Sequence, residues 1–367
     1  LNSITVEGPA ATTSKDIERA RHAAQFYPNI KHLLVKHHEF REPFSILEEI
    51  PLTDEPTELV LMMGKFQHIL QVVNSIGSQL HLSGEAGDSV LMAPTSYLAD
   101  LVQRKKIKTF IQHSRGWARA THSSLLPVIN NAIRLSTTSY SRWLSQQTQQ
   151  LTGRQIPQEQ NATWNLGWSG SLSSASWYTK EAAELALSRV MQYIPIAEPL
   201  SHYPGQHSSI ISIHGIGRLA RTQQQIADLY DVNLDYPYLD TLVVDACLQA
   251  KIEERSTPFV YKALMYEAFH NEIPSTVLTH SSKCEYTAEL YAGLRNNLVK
   301  FNKFFESSYL SEMGLINLKE FHKTVEAFCM GLGVNLGQFN ATIALELWVR
   351  RLLGSNCTQF WESGTSK

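Results

Sequence analysis

Eight consecutive residues, His81-Leu82-Ser83-Gly84-Glu85-Ala86-Gly87-Asp88, hold the strongest local chemical signal in the chain. Gly84 and Gly87 permit a tight turn with exposed backbone N–H groups, a surface suited to a sugar or a phosphate. Asp88, directly after the turn, could bind Mg²⁺, which takes one or two protein carboxylates and completes its shell with water and phosphate oxygens. The same spacing describes an ordinary strand–turn–helix corner with Asp88 as a helix cap, and spacing alone favours that plainer reading. A second signal is Lys283 within Thr279-His280-Ser281-Ser282-Lys283-Cys284-Glu285-Tyr286. A loop lysine can neutralise charge on a leaving pyrophosphate. Taken by itself, such a lysine is far more often merely solvated.

These residues need elements to position them. Strands are expected at residues 4–6, 32–35 and 79–82, separated by helices at about 15–26 and 57–76. Strands alternating with helices predict an α/β fold with a parallel sheet and crossover helices. In such sheets ligands sit beyond the carboxyl ends of the strands, which is where Ser83–Asp88 falls. From Tyr97 onward the pattern is mainly helical, with helices expected at 180–193, 210–230, 239–249, 258–270, 288–305, 318–330 and 340–353. The Gln- and Thr-rich residues 146–163 read as an exposed loop, 169–176 as a small-residue stretch, and 356–367 as a polar tail after a single domain over 1–355. Because Leu1 opens inside strand-like sequence, the chain is expected to be a fragment or processed product.

Bulk properties exclude several classes. The 367 residues carry a net charge of −2 with 18% charged residues, so no nucleic-acid footprint is expected. The nearest basic run, Arg104-Lys105-Lys106 with Lys108, reads as a solvated helix end or loop. Cys247, Cys284, Cys329 and Cys357 lie far apart, without metal spacing or the density of a disulfide scaffold, and reduced thiols in a cytoplasmic compartment are expected. No apolar run is long enough for a membrane span.

In order along the chain, several segments resemble the synthetase domain of the asparagine synthetase family. Ser83–Asp88 is similar to its Ser-Gly-Glu-Gly-x-Asp signature, and Tyr236-Pro237-Tyr238-Leu239-Asp240 to its Pro-Phe-Leu-Asp element. Lys262-Ala263-Leu264 with Glu267-Ala268 resembles its Lys-x-Leu-Arg-x-Ala helix, Ile273-Pro274 its following Leu-Pro, and Lys283 stands at its catalytic lysine. The finer resemblance is to the branch that closes lasso peptides. It rests on Asp88-Ser89-Val90-Leu91 followed by Pro94 and Asp100, on the stretch from Tyr286 to Arg295, and on Met313-Gly314-Leu315-Ile316. Ser89 and Ala93-Pro94 depart from asparagine synthetases proper. His280 stands where relatives carry Arg, and Cys284 where lasso-type relatives tend to have Gly. The family's pyrophosphate loop, Ser-Gly-Gly-x-Asp-Ser, is not among the 367 residues, nor is a glutaminase domain with a leading cysteine. Without that loop the chain alone is expected to have crippled phosphate and Mg²⁺ binding.

The resemblance implies an adenine nucleotide alpha-hydrolase (PP-loop, Rossmann-like) sheet followed by a largely helical half. It implies ATP and Mg²⁺, and a carboxylate substrate that is adenylated and then captured by an amine. In that scheme Asp88 holds Mg²⁺, Lys283 stabilises departing pyrophosphate, Ser83 and Gly84 contact the nucleotide sugar, and Val6 packs on adenine. Glu85 takes a position linked to adenylation or to deprotonating the amine, with a solvent-facing turn residue as the even alternative. Partners would be a small-molecule or peptide carboxylate, with a precursor peptide and its protease in the lasso case. Glutamine-hydrolysing asparagine synthesis is the rival activity, and a non-catalytic remnant or interaction subunit the rival from another class. Asp240 is expected to cap a helix, Lys262 to pair with a carboxylate, and Trp117, Trp164, Trp168 and Trp177 to be aromatic core or to shape a peptide pocket.

Overall fold

The computed structural model describes residues 1–8, 16–152, 166–172, 174–278 and 287–355. Lys283 and the tail 356–367 lie outside the described residues, as do Trp164, Cys284 and Cys357. The architecture is mixed α/β. Strand β1 (Asn2–Val6) leads through the helix Asp16–Phe26 to β2 (Lys31–Val35), and the two strands pair in parallel with Val6 opposite Val35. Strand β3 (Leu80–Leu82) pairs in parallel with β4 (Asn233–Asp235), Leu80 opposite Asn233. Parallel pairing is as expected. The described strands, however, form two two-stranded sheets rather than one continuous sheet. With only three residues each, β3 and β4 make a very short ladder, and Leu80 and Leu82 remain 55% and 57% exposed.

Two apolar clusters hold the helical part together. The larger joins residues 44–73 to the last helices through Phe301, Phe305, Phe321, Phe328 and Phe339. Phe339 stacks on Phe321 and Phe328 with ring centroids 5.6 and 5.3 Å apart. The helix Leu318–Cys329 buries Phe321, Val325 and Phe328, a one-face spacing, and begins where the Asn317 side chain accepts from Glu320 N–H. The helix Leu336–Gly354 starts on Asn335 in the same way and buries Phe339, Ile343 and Leu347. Glu346, on that buried face, is fully buried. Its carboxylate accepts from Ser308 Oγ–H (2.8 Å) and from the Tyr309 and Leu310 N–H groups (3.1 and 3.0 Å), and pairs with Arg350 (2.8 Å).

The second cluster packs Tyr97, Leu98, Leu101, Phe110, Val128, Leu135, Trp143 and Trp168. Residues 146–152, expected in a loop, are helical here as the end of Tyr140–Thr152. Buried Trp143 and Gln147 anchor that helix, and glutamine is a good helix former. The segment expected as one helix at 288–305 is two, Thr287–Asn296 and Leu298–Phe305, because Asn297 turns its side-chain amide back onto the Gly293 carbonyl. Cys247 and Cys329 are free thiols. No described helix is long and apolar enough to cross a membrane.

Asp100 ties this cluster to the helix Pro204–Ala227, accepting from Gly205 N–H (2.7 Å) and Gln206 N–H (3.1 Å). The approach requires Gly205, where a Cβ would lie 2.4 Å from Tyr97 Cα. Burial pushes the Asp100 carboxyl up to about 7, against those two N–H donors and the Arg104 charge. A carboxyl raised on folding binds more protons folded than unfolded. Its contribution to stability is therefore full below its unfolded value, near 3.8, and is lost as pH rises through about 7. Urea midpoints measured from pH 4 to 8 should fall more steeply for the wild type than for Asp100→Asn, whose neutral amide does not titrate.

Candidate functional site

The turn at residues 83–88 grows directly out of the β3–β4 ladder. Ser83 N–H donates to the Asp235 carbonyl (2.8 Å), and the Ser83 hydroxyl accepts from Glu85 N–H (3.2 Å), a local bond that bends the chain. Gly87 N–H then closes on the Gly84 carbonyl (3.3 Å), and Ala86 sits in the left-handed region at φ +67°. A side chain there costs roughly 1–2 kcal/mol, so the surroundings hold this turn in shape. The two glycines serve differently. A Cβ at Gly87 would lie 3.2 Å from the Tyr238 ring, whereas Gly84 meets nothing within 4 Å and leaves its backbone open to a ligand.

Asp88 heads the short helix Gly87–Leu91 with its side chain half exposed. Lys262 Nζ lies 2.9 Å from Asp88 Oδ1, and Tyr261 O–H donates to the same oxygen at 3.0 Å. The Lys262 ammonium also lies 5.3 Å from the Tyr261 ring centroid. Lys262 thus pairs with a carboxylate as its sequence context predicts, and it does so from a left-handed backbone at φ +49°. Its neighbour Tyr261 had no sequence signal, being 173 positions from Asp88 with no motif of its own.

Glu85 is partly buried beside Tyr236, which donates to Gln223 Oε1 at 2.7 Å. Burial, and after it the Glu85 charge, push the Tyr236 phenol upward, so it stays a neutral hydrogen-bond donor. Asp240 caps the helix Thr241–Gln249, accepting from Leu242 N–H (2.8 Å). Trp168 and Trp177 are buried in the two cores, and Trp117 is half buried.

Ser83, Gly84, Glu85 and Asp88 are therefore brought together on one turn. Val6 ends β1 in the other sheet, and among the described residues no strand pairing joins that sheet to the turn. Lys283 lies outside the described residues. Among the described residues, no group of three or more His, Cys, Asp or Glu is placed to hold a metal ion. Asp88 suits a Mg²⁺ shared with phosphate oxygens, which needs a single carboxylate, and not an all-protein cage. Lys262 shares that carboxylate, so a cation bound there would compete with the ammonium or displace it.

A family model described as asparagine synthase matches residues 1–350. No curated protein and no solved structure gives a significant match.

Proposed function

The chain belongs to the asparagine synthase family, and from that premise we propose that it acts as an ATP-dependent carboxylate–amine ligase on a peptide-borne carboxylate, closing a macrolactam. A substrate carboxylate oxygen attacks the α-phosphorus of ATP, the bond to the β-phosphate oxygen breaks, and an acyl-adenylate and pyrophosphate form. An amine then attacks the acyl carbon, AMP leaves with the electron pair, and the amine loses a proton. The reading rests chiefly on the 83–88 turn. It stands at the carboxyl ends of paired parallel strands with Gly84 open to a ligand and a half-exposed Asp88 braced by Lys262 and Tyr261.

By the family resemblance Ser83 and Gly84 would contact the nucleotide sugar, and Val6 would pack on adenine. Glu85, carried over from the family motif, would act as the general base on the incoming amine. Asp88 would hold Mg²⁺, which supplies charge neutralisation to the phosphates when bound. Lys283, carried over from the family motif, would take up charge on the pyrophosphate. The peptide reading, with its precursor peptide and protease as partners, follows the resemblance at Asp88–Leu91, Pro94 and Asp100 and the departure from asparagine synthetases proper at Ser89 and Ala93-Pro94. In the fold Ser89 hydrogen-bonds Ser212 (2.8 Å). The family's description, asparagine synthase, favours a second reading, asparagine synthesis, which by the resemblance would be glutamine-hydrolysing.

Labelled pyrophosphate separates the readings. With ATP and Mg²⁺, the complete protein should move label into ATP only when its carboxylate substrate is present, releasing AMP. A candidate peptide should then lose one water. Exchange driven by free aspartate, with asparagine as product, would select the second reading. ADP as the nucleotide product would sink both.

A further inference from the structure

One helix face away from the turn carries charge that the fold does not neutralise. From Leu101 to Gln158 the chain has no Asp or Glu and nine Lys or Arg, within a molecule whose net charge is −2. Some of these cations are engaged internally. Arg104 lies over the Tyr203 ring at 4.0 Å, and Lys106 pairs with Glu253. The basic run at 104–106 is thus partly built into the packing rather than simply solvated. Lys108, Arg115 and Arg119 differ: all three are exposed, and among the described residues none has an ion-pair partner. Spaced seven and four residues apart on the helix Ile107–Ala120, they line one face over about 16 Å.

That face borders a groove of about 920 Å³ whose other lining includes Ile111, Pro258 and Phe259. A second hollow of about 530 Å³ continues past Arg115 and Arg119 to His122. The wall is firmly set. A Cβ at Gly116 would lie 2.4 Å from Pro258 Cγ, so helix and loop are in direct contact. The Phe259 ring rests edge-on against His113 at 5.7 Å, and His113 is fixed by the Tyr97 hydroxyl at 2.7 Å. Tyr97 in turn accepts from Trp117 Nε1–H at 2.8 Å. Phe259 itself is 56% exposed, an aromatic surface presented to the groove. Two residues further along the same loop comes Tyr261, then Lys262, the pair that braces Asp88. Adjacent Cα atoms are 3.8 Å apart, so Phe259 and Tyr261 are separated by no more than about 7 Å.

The geometry points to a peptide-binding groove: Lys108, Arg115 and Arg119 receive the carboxylates of an acidic peptide segment, Ile111, Pro258 and Phe259 receive its apolar side chains, and the 258–262 loop leads from it to Asp88. The destination at Asp88 rests on the ligase reading above; the groove itself rests on charge and shape. Nucleic acid is the other polyanion such cations could meet. An apolar floor and a net negative molecule favour the peptide, since nucleic-acid surfaces are strongly basic and held through phosphates.

Fluorescence anisotropy with a short labelled peptide alternating Asp or Glu with Leu tests this, alongside its Asn/Gln counterpart and oligothymidylate. The acidic peptide should bind, should weaken as salt rises, and should lose at least about tenfold in affinity to an Arg115→Glu/Arg119→Glu double variant or to the Asn/Gln peptide. An Arg115→Gln/Arg119→Gln variant with unchanged thermal melting guards against misfolding and should show an intermediate loss. Equal binding to the charge-reversed protein, equal binding of the uncharged peptide, or tighter binding of oligothymidylate would each overturn the groove. ATP binding is titrated in the same samples. Arginine-dependent peptide binding without ATP binding would remove the ligase reading and leave the groove, whereas ATP binding without peptide binding would remove the groove alone.

Discussion

Asp88→Ala should lower ATP–pyrophosphate exchange in the complete protein by at least about a hundredfold, the loss typical of removing one group that stabilises developing charge. Stability should hardly change. The Asp88 carboxylate is 46% exposed, and ion pairs at such positions contribute about 1 kcal/mol or less. Thermal melting should therefore stay within a few degrees of the wild type while exchange collapses. Asp88→Asn is the sharper variant, because the amide oxygen can still accept from Tyr261 but has no charge to offer a metal or Lys262. Exchange in Asp88→Asn close to that of the wild type would show that the residue only shapes the turn, and the metal role would be withdrawn.

The second large effect is on stability. Glu346→Ala removes an acceptor for three hydrogen bonds at the start of the helix Tyr309–Glu312 and leaves Arg350 without its carboxylate. Each buried donor left without an acceptor costs about 1–3 kcal/mol, and the three together are a large fraction of a typical folding free energy. Chemical denaturation should show the midpoint falling accordingly with the slope unchanged. Glu346→Gln keeps one acceptor oxygen and should lose about half as much. A midpoint for Glu346→Ala within experimental error of the wild type would mean that water replaces the lost oxygens, contrary to the full burial of this residue.

The turn is legible in the sequence because its information is local. Gly84, Gly87 and Asp88 sit within five positions, and the strand before them ends where the backbone must bend. The cap at Asp240 and the helix at 180–193 were legible for the same reason. What surrounds the turn was not. Strand β4 spans three residues, too few for any periodicity to register, yet it is the partner that holds β3. Tyr236, Tyr238 and Tyr261 reach the turn from segments well over a hundred positions away, and tyrosine in isolation carries no positional signal. Lys262 was expected to pair with a carboxylate, but its partner Asp88 lies 174 positions away and is set by the tertiary fold. The cationic face shows the opposite failure. Arg104, Lys105 and Lys106 are adjacent in sequence with Lys108 close by, whereas Arg115 and Arg119 are spread over helical rows where proximity in space replaces proximity in sequence.

The contact between Gly116 and Pro258 also constrains the order in which this chain can change. Alanine at 116 would drive its methyl group to 2.4 Å from Pro258 Cγ and 3.1 Å from the Phe259 ring, prising the loop away from the helix. Replacing Pro258 first by glycine removes the proline ring and opens room for a later methyl group at 116, so one substitution is permissive for the other and the reverse order passes through a misfit. Variation at these two positions should accordingly be correlated and directional, and a library that randomises 116 while holding Pro258 should return glycine almost alone.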